Sequence, residues 1–208
     1  MAKKKSKPRS THKPDFPRPA EAAVPATTTY VSPLRAQKPR LTTWYEIIST
    51  GFYSGYLPKA PGTWGSLFAA LAFFLTARLL PAEGLFHIGK IPISWWAALS
   101  GTFFTILGII ASEKLAAEWR EKDPAEVVVD EFAGVLLACL LVTPNVIGIT
   151  AAFLFFRLFD VWKPGPIHSL QDLPGGHGIV LDDVGAGLLA APLAWLVQLG
   201  IGKIFPGI

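Results

Sequence analysis

Cysteine is almost absent from this chain of 208 residues, since Cys139 stands alone. A single cysteine excludes an intramolecular disulfide, and without Cys or His neighbours at zinc spacing it excludes a Cys/His zinc centre. It sits inside an apolar run and reads as a small buried apolar residue. Charge is scarce as well: Asp, Glu, Lys and Arg make up 16% of the chain against 51% hydrophobic residues, and mean hydropathy is positive. Soluble domains carry about 25% charge, so this balance points to a membrane protein. Signatures of covalent nucleophiles are also missing. Asn145 stands six after Cys139, so there is no Cys-x5-Arg loop, and neither an Asp-x-Asp motif followed by Gly or Thr nor a Ser-centred nucleophile elbow occurs. Chemistry through a covalent side-chain intermediate is thereby disfavoured. No internal repeat is present.

The charge that remains is unevenly spread. Eleven of the nineteen Lys and Arg fall within residues 1–65. No basic, aromatic-interleaved module follows them, so a nucleic-acid partner is not expected, and the arm reads as a solvated tail near anionic lipid. Residues 1–40 contain Pro8, Pro14, Pro17, Pro19, Pro25, Pro33 and Pro39, which remove backbone donors and forbid a continuous helix. They are expected to form a disordered cytoplasmic extension, with 41–208 as a single membrane domain. The basic start lacks an apolar core directly after it and does not read as a cleaved signal peptide.

Residues 41–56 carry Trp44, Tyr45, Ile47, Ile48, Phe52 and Tyr56 with few charges, which suits a short interfacial helix. The Pro- and Gly-rich stretch 57–65 is expected to be non-helical. Four apolar regions follow, at 66–80, 93–111, 131–161 and 184–201. The third is too long for one span and is interrupted by Thr143-Pro-Asn145, a turn signal, so it reads as a hairpin of two short arms. The fold class expected is all-α, a multi-spanning helical membrane bundle. With the basic N-terminus inside, the hairpin returns to the cytoplasmic side and brings 123–131 and 157–183 together, giving a cytoplasm-facing polar site.

Acidic residues are the main anomaly. Asp130 and Glu131 adjoin one hairpin arm, Asp160 ends the other, and Asp182 and Asp183 precede the last span. Ionisable groups at membrane margins are expensive to bury and need partners. One solution is Mg²⁺, which takes hard oxygen ligands and would orient a phosphate and acidify a bound water. The other is ion pairing with Arg157, Lys163, Lys59 or Arg120. Topology alone leaves the two level. Arg157 and Asp160 are three apart and share a helix face, so Arg157 either pairs structurally or faces a phosphate. Lys163 adds a point charge beyond them. The run Gly175-Gly-His-Gly178 is expected to be a loop whose bare amides approach a phosphate. His168 and His177 are acid–base candidates, though each more readily reads as a solvated histidine.

Four blocks resemble the phosphatidylglycerophosphatase A family. They are Gly51-Phe-Tyr-Ser-Gly-Tyr-Leu-Pro-Lys-Ala-Pro-Gly-Thr-Trp-Gly-Ser66, Val127-Val-Val-Asp-Glu-Phe-Ala-Gly134, Phe156-Arg-Leu-Phe-Asp-Val-Trp-Lys-Pro-Gly-Pro-Ile167 and Gly175-Gly-His-Gly-Ile-Val-Leu-Asp-Asp-Val-Gly-Ala-Gly187. The resemblance implies Mg²⁺-dependent hydrolysis of phosphatidylglycerophosphate to phosphatidylglycerol at the bacterial cytoplasmic membrane. On that reading Asp130, Glu131, Asp160, Asp182 and Asp183 hold or surround Mg²⁺. Lys163, Arg157 and Lys59 engage the phosphate, with Gly175, Gly176 and Gly178 lining the approach. The alternative from another class is an ion-coupled transporter, with the acids as coupling sites and Pro144 breaking a helix at mid-membrane.

Overall fold

A computed structural model of the protein describes residues 43–79 and 85–204. The extension expected at 1–40 lies outside the described residues. Among them are seven α-helices and one small β-hairpin, the all-α architecture expected.

Helix α1 (Trp44–Ser49) and a 3₁₀ turn (Ser54–Tyr56) replace the single interfacial helix expected over 41–56. The break falls where Gly51, Phe52 and Tyr53 all take positive φ, which no helix continues through. Helix α2 (Pro61–Leu79) starts inside the segment expected to be non-helical. Proline is tolerated in a first helical turn, where its missing N–H would be unpaired anyway. Only 57–60 stays irregular, with Lys59 and Ala60 at φ 60° and 56°. The early start gives α2 19 residues, about 28 Å of helix.

A hairpin of β1 (Leu85–Ile88) and β2 (Ile91–Ser94) joins α2 to α3 and was not anticipated from sequence. Its register pairs Ile88 with Ile91 across the Gly89-Lys90 turn. Helix α3 (Trp95–Trp119) is capped by the Ser94 side chain, which accepts from the Ala97 amide. It runs eight residues past the apolar window, keeping Leu115 buried while Glu113 and Glu118 are exposed.

The hairpin expected at 131–161 is present. Helix α4 (Val129–Ala138) continues into a 3₁₀ turn (Cys139–Leu141), and α5 (Val146–Trp162) returns. Asn145 caps α5 by accepting from the Gly148 amide. Gln198 of the last helix, α7 (Gly176–Ile204), grips the turn, donating to Thr143 O and Asn145 Oδ1 and accepting from the Thr143 amide. Pro144 therefore lies in a turn between helices. At ten residues α4 is about 15 Å long, too short to span. The difficulty is solved by burial, since eight of its ten residues are buried and α2, α3, α5 and α7 all pack on it. Short or irregular backbone is tolerated at membrane depth when protein rather than lipid surrounds it.

A short helix α6 (Pro166–Leu170) precedes α7 (Gly176–Ile204), which has 29 residues. Helices α4 and α7 approach at Gly134 and Gly187, where a Cβ on either would meet backbone of the other helix. Helices α2, α3 and α7 are long and apolar enough to cross a membrane, by length and composition. Starting α2, α4 and α7 at one end, where α3 and α5 finish, collects all five candidate carboxylates there.

Candidate active site at the carboxylate end of the bundle

Each element delivers its polar side chains for a local reason. Asp130 and Glu131 occupy the first turn of α4, where the helix dipole favours anions. Arg157 and Asp160 stand one turn apart near the end of α5 and pair at 2.7 Å. Lys163 ends that helix in the left-handed region, its amide donating to Phe159 O. Asp182 and Asp183 lie in the second turn of α7 and are each 3% exposed.

These groups form one network. Lys163 Nζ donates to Asp182 Oδ2 and lies 3.3 Å from Asp160 Oδ1 and 3.8 Å from Asp183 Oδ1. Gln171 Nε2 donates to the same Asp182 oxygen at 3.0 Å. Arg157 Nη1 reaches Ser66 Oγ at 3.4 Å and lies 3.9 Å from Glu131 Oε1. Burial works against the charge on Lys163, but the Asp182 hydrogen bond and the charges of Asp183, Asp182 and Asp160 outweigh it. Its pKa is held above the ordinary lysine value, so it is a fixed cation at neutral pH.

A cavity of about 410 Å³ opens over the network, within the size range of small-ligand sites. Asp130, Glu131, Asp160, Lys163, Asp182 and Asp183 all line it, as do Gly175 and Gly178. Oxygens of Asp130, Glu131 and Asp183 lie within 4.8 Å of one another. Asp130 Oδ1, Glu131 Oε2 and Asp182 Oδ1 are buried and have no hydrogen-bond partner. Carboxylate oxygens buried this way are costly unless a cation faces them, and an all-oxygen donor set suits Mg²⁺. The residues therefore fit such an ion. The carboxylates also divide: Asp130, Glu131 and Asp183 form the compact trio, while Asp160 and Asp182 are engaged by Arg157 and Lys163.

Other expectations need correction. The segment Gly176–Gly178 is the first turn of α7 and not a loop. A Cβ at Gly176 would run into Ile109 O of α3, and one at Gly178 into Leu173 O, so close packing accounts for both. Lys59 is exposed in the irregular turn before α2 and does not line the cavity. Arg157 braces Glu131 and Asp160 from beside the cavity and is not part of its lining. His168 and His177 are both exposed and outside the lining. Pro144 does not interrupt a helix, and the acids gather at one end of the bundle, so the transporter alternative has no support.

Sequence reasoning missed Gln171, Ser66 and the cavity-lining Lys122 and Asp123. It also missed Gly62, where a Cβ would fall on Glu131 Oε1. An isolated glutamine, serine or glycine carries no sequence signal of this kind. Lys122-Asp123 did offer one, as a charged pair at the start of the segment 123–131 expected at the site.

Comparison with known proteins agrees with this geometry. A family model described as Phosphatidylglycerophosphatase A matches residues 47–198. A protein of Escherichia coli named phosphatidylglycerophosphatase A is 30% identical over 155 residues, covering 74% of this chain and 83% of that protein. One of the same name from Haemophilus influenzae is 34% identical, covering 73% and 87%. A protein of Bacteroides thetaiotaomicron, provisionally named a phosphatidylinositol-3-phosphatase, is 39% identical over 158 residues, covering 73% and 94%. No solved structure matches the chain. The family match takes in the whole carboxylate network and well over half of the sequence, and the chain belongs to the phosphatidylglycerophosphatase A family.

Proposed function

We propose that this protein hydrolyses the terminal phosphate of phosphatidylglycerophosphate to give phosphatidylglycerol, with Mg²⁺, at the cytoplasmic face of the bacterial inner membrane. The observation that carries the reading is the set of buried, unpartnered oxygens on Asp130, Glu131 and Asp182 beside a fixed lysine. They line a cavity at the end of a bundle with membrane-length helices. Relatives named for phosphatidylglycerophosphate hydrolysis supply the substrate.

Asp130, Glu131 and Asp183 would hold Mg²⁺, which supplies neutralisation of their charge and polarisation of the phosphoryl group. Lys163 Nζ stands among Asp160, Asp182 and Asp183 and donates to a phosphate oxygen, countering the charge that develops there. Asp182 has one oxygen held by Lys163 and Gln171, which leaves Oδ1 free to take a proton from the attacking water. The P–O bond to the lipid glycerol breaks, the water's hydroxyl joins phosphorus, and a proton ends on the glycerol oxygen. Arg157 fixes Asp160 and Glu131. Basic residues support that orientation among the described residues: Lys59, Lys114, Arg120, Lys122, Arg157 and Lys163 lie at the site end, against Arg78, Lys90 and Lys203 at the other.

The test is phosphate release from phosphatidylglycerophosphate in detergent micelles, with Mg²⁺ and then with excess chelator. Release that requires Mg²⁺ and is lost in Asp182→Asn supports the proposal. Absence of release from folded, lipid-supplied protein overturns it. Phosphatidylinositol 3-phosphate belongs in the same assay, because the Bacteroides relative carries that name. Faster release from it would move the substrate assignment while leaving the site in place.

A further inference from the structure

A second cavity of about 370 Å³ lies on the outer face of the bundle between α2 and α5. Leu67, Leu71 and Phe74 form one wall and Ile149, Phe153 and Leu154 the other. Leu67, Leu71 and Leu154 are about half exposed, so the groove opens outwards, beside a helix long and apolar enough to cross a membrane.

The end of the groove nearer the carboxylates lies one helical turn from Arg157. Phe153 and Leu154 precede Arg157 by four and three residues, which places all three on one face of α5. Arg157 also donates to Ser66, one turn before the groove residue Ala70 on α2. Gly62, one further turn back, touches Glu131. The axial distance from Gly62 to Leu67 is about 7.5 Å, so the groove begins roughly one helical turn below the carboxylates. Arg157, outside the lining of both cavities, thus stands between the apolar groove and the reaction cavity and pairs with two of the acids that line the latter.

We infer that the α2–α5 groove holds an acyl chain of the lipid phosphomonoester, and that substrate enters sideways from the bilayer past Arg157. The inference rests on the lipid-phosphate reading and adds the route and the chain-binding surface. Lipid tails are as apolar as the groove, so the groove contributes position rather than hydrophobic free energy. It fixes where the headgroup sits relative to Lys163 and the acids, the kind of orientation on which rate depends steeply.

The experiment uses full-length protein and compares dioleoyl with dihexanoyl phosphatidylglycerophosphate in the same nonionic micelles. Wild type is expected to favour the long chains. Leu71→Trp and Thr150→Trp, at two positions that line the groove, fill it and are expected to lower the long-to-short ratio of kcat/KM by about fivefold. Leu99→Trp, on the exposed face of α3, is expected to leave that ratio unchanged. An unchanged ratio in both groove variants, or an equal fall in Leu99→Trp, overturns the inference.

Photo-crosslinking with a diazirine on the acyl chain decides the matter without turnover. A phosphomonoester lipid is expected to label 67–74 and 146–154 preferentially, and to lose that label in Arg157→Gln. A choline lipid is expected to label all exposed helix faces alike. Identical patterns from both lipids would mean ordinary boundary lipid and no acyl site. If wild type released no phosphate at all, the proposed activity would fall, and the labelling pattern would still decide the groove.

Discussion

Lys163, the residue that ends α5, donates a hydrogen bond to Asp182 Oδ2 on α7, and Gln171 donates to that same oxygen. The pair ties the end of the hairpin to the final helix and sets which Asp182 oxygen stays free. Lys163→Met removes both the proposed phosphate donor and the cation that stands among Asp160, Asp182 and Asp183. Turnover is expected to fall about 100-fold or more, on the scale of losing one preorganised donor. Gln171→Ala leaves the lysine in place and is expected to cost about tenfold. Steady-state assays of the two purified variants check the ranking. Near-normal activity in Lys163→Met would remove lysine from the mechanism.

Two glycines separate chemistry from folding. At Gly62 an added Cβ strikes the far end of the Glu131 side chain and comes into ordinary contact with the Arg157 guanidinium, both ends of flexible side chains that can shift. Gly62→Ala is therefore expected to leave the thermal midpoint in detergent nearly unchanged while lowering kcat about tenfold, because Glu131 is displaced. At Gly134 the Cβ meets Asp183 O and the buried ring of Phe156, neither of which has room to move. Gly134→Ala is expected to destabilise by roughly 1–3 kcal/mol, as overpacking does. Gly202→Ala, with open space around it, is the matched control. Thermal unfolding and activity measured together on all three tell the roles apart.

How much of this was legible in the sequence follows from what kind of pattern each feature leaves. The hairpin was readable because Pro144-Asn145 interrupts an apolar run too long for one span, and the five acids could then be placed at one end. The start of α2 was misread because Pro61, Gly62 and Gly65 look like breakers. Proline in a first turn costs nothing, and Gly65 is there because a Cβ would strike Val128. The β-hairpin at 85–94 was missed because its strands have four residues each, too short for a period to show. The glycine run that opens α7 suggested a phosphate loop, whereas the bare backbone of Gly176 and Gly178 serves close packing against Ile109 and Leu173. Composition names glycine but not the neighbour that requires it.

Exposure also sorts the candidate residues. His168, His177 and Lys59 are all exposed and outside the cavity lining. Replacing each with Ala is expected to change kcat/KM by less than about twofold, in line with surface substitutions away from packed features. A loss of about tenfold or more in His177→Ala would show that the first turn of α7 touches substrate after all.

The carboxylate trio makes a prediction about stability that runs opposite to the one about activity. Asp130, Glu131 and Asp183 bring oxygens within 4.8 Å of one another, and like charges so close repel unless a cation stands between them. In chelator the wild type therefore carries an unrelieved cost, and Asp183→Asn removes one of the charges. This variant is expected to be inactive yet at least as resistant to heat as wild type when no divalent ion is present. Adding Mg²⁺ should reverse the order. An ion that binds only the folded state stabilises by about 2.7 kcal/mol at a hundredfold excess over its Kd. The wild-type midpoint should rise accordingly, and that of Asp183→Asn should rise far less. Thermal melts of both proteins with chelator, Mg²⁺ and Ca²⁺ give the answer without any substrate. Identical midpoints in Mg²⁺ and chelator for the wild type would leave the trio as a set of protonated or ion-paired acids, with no role for a metal.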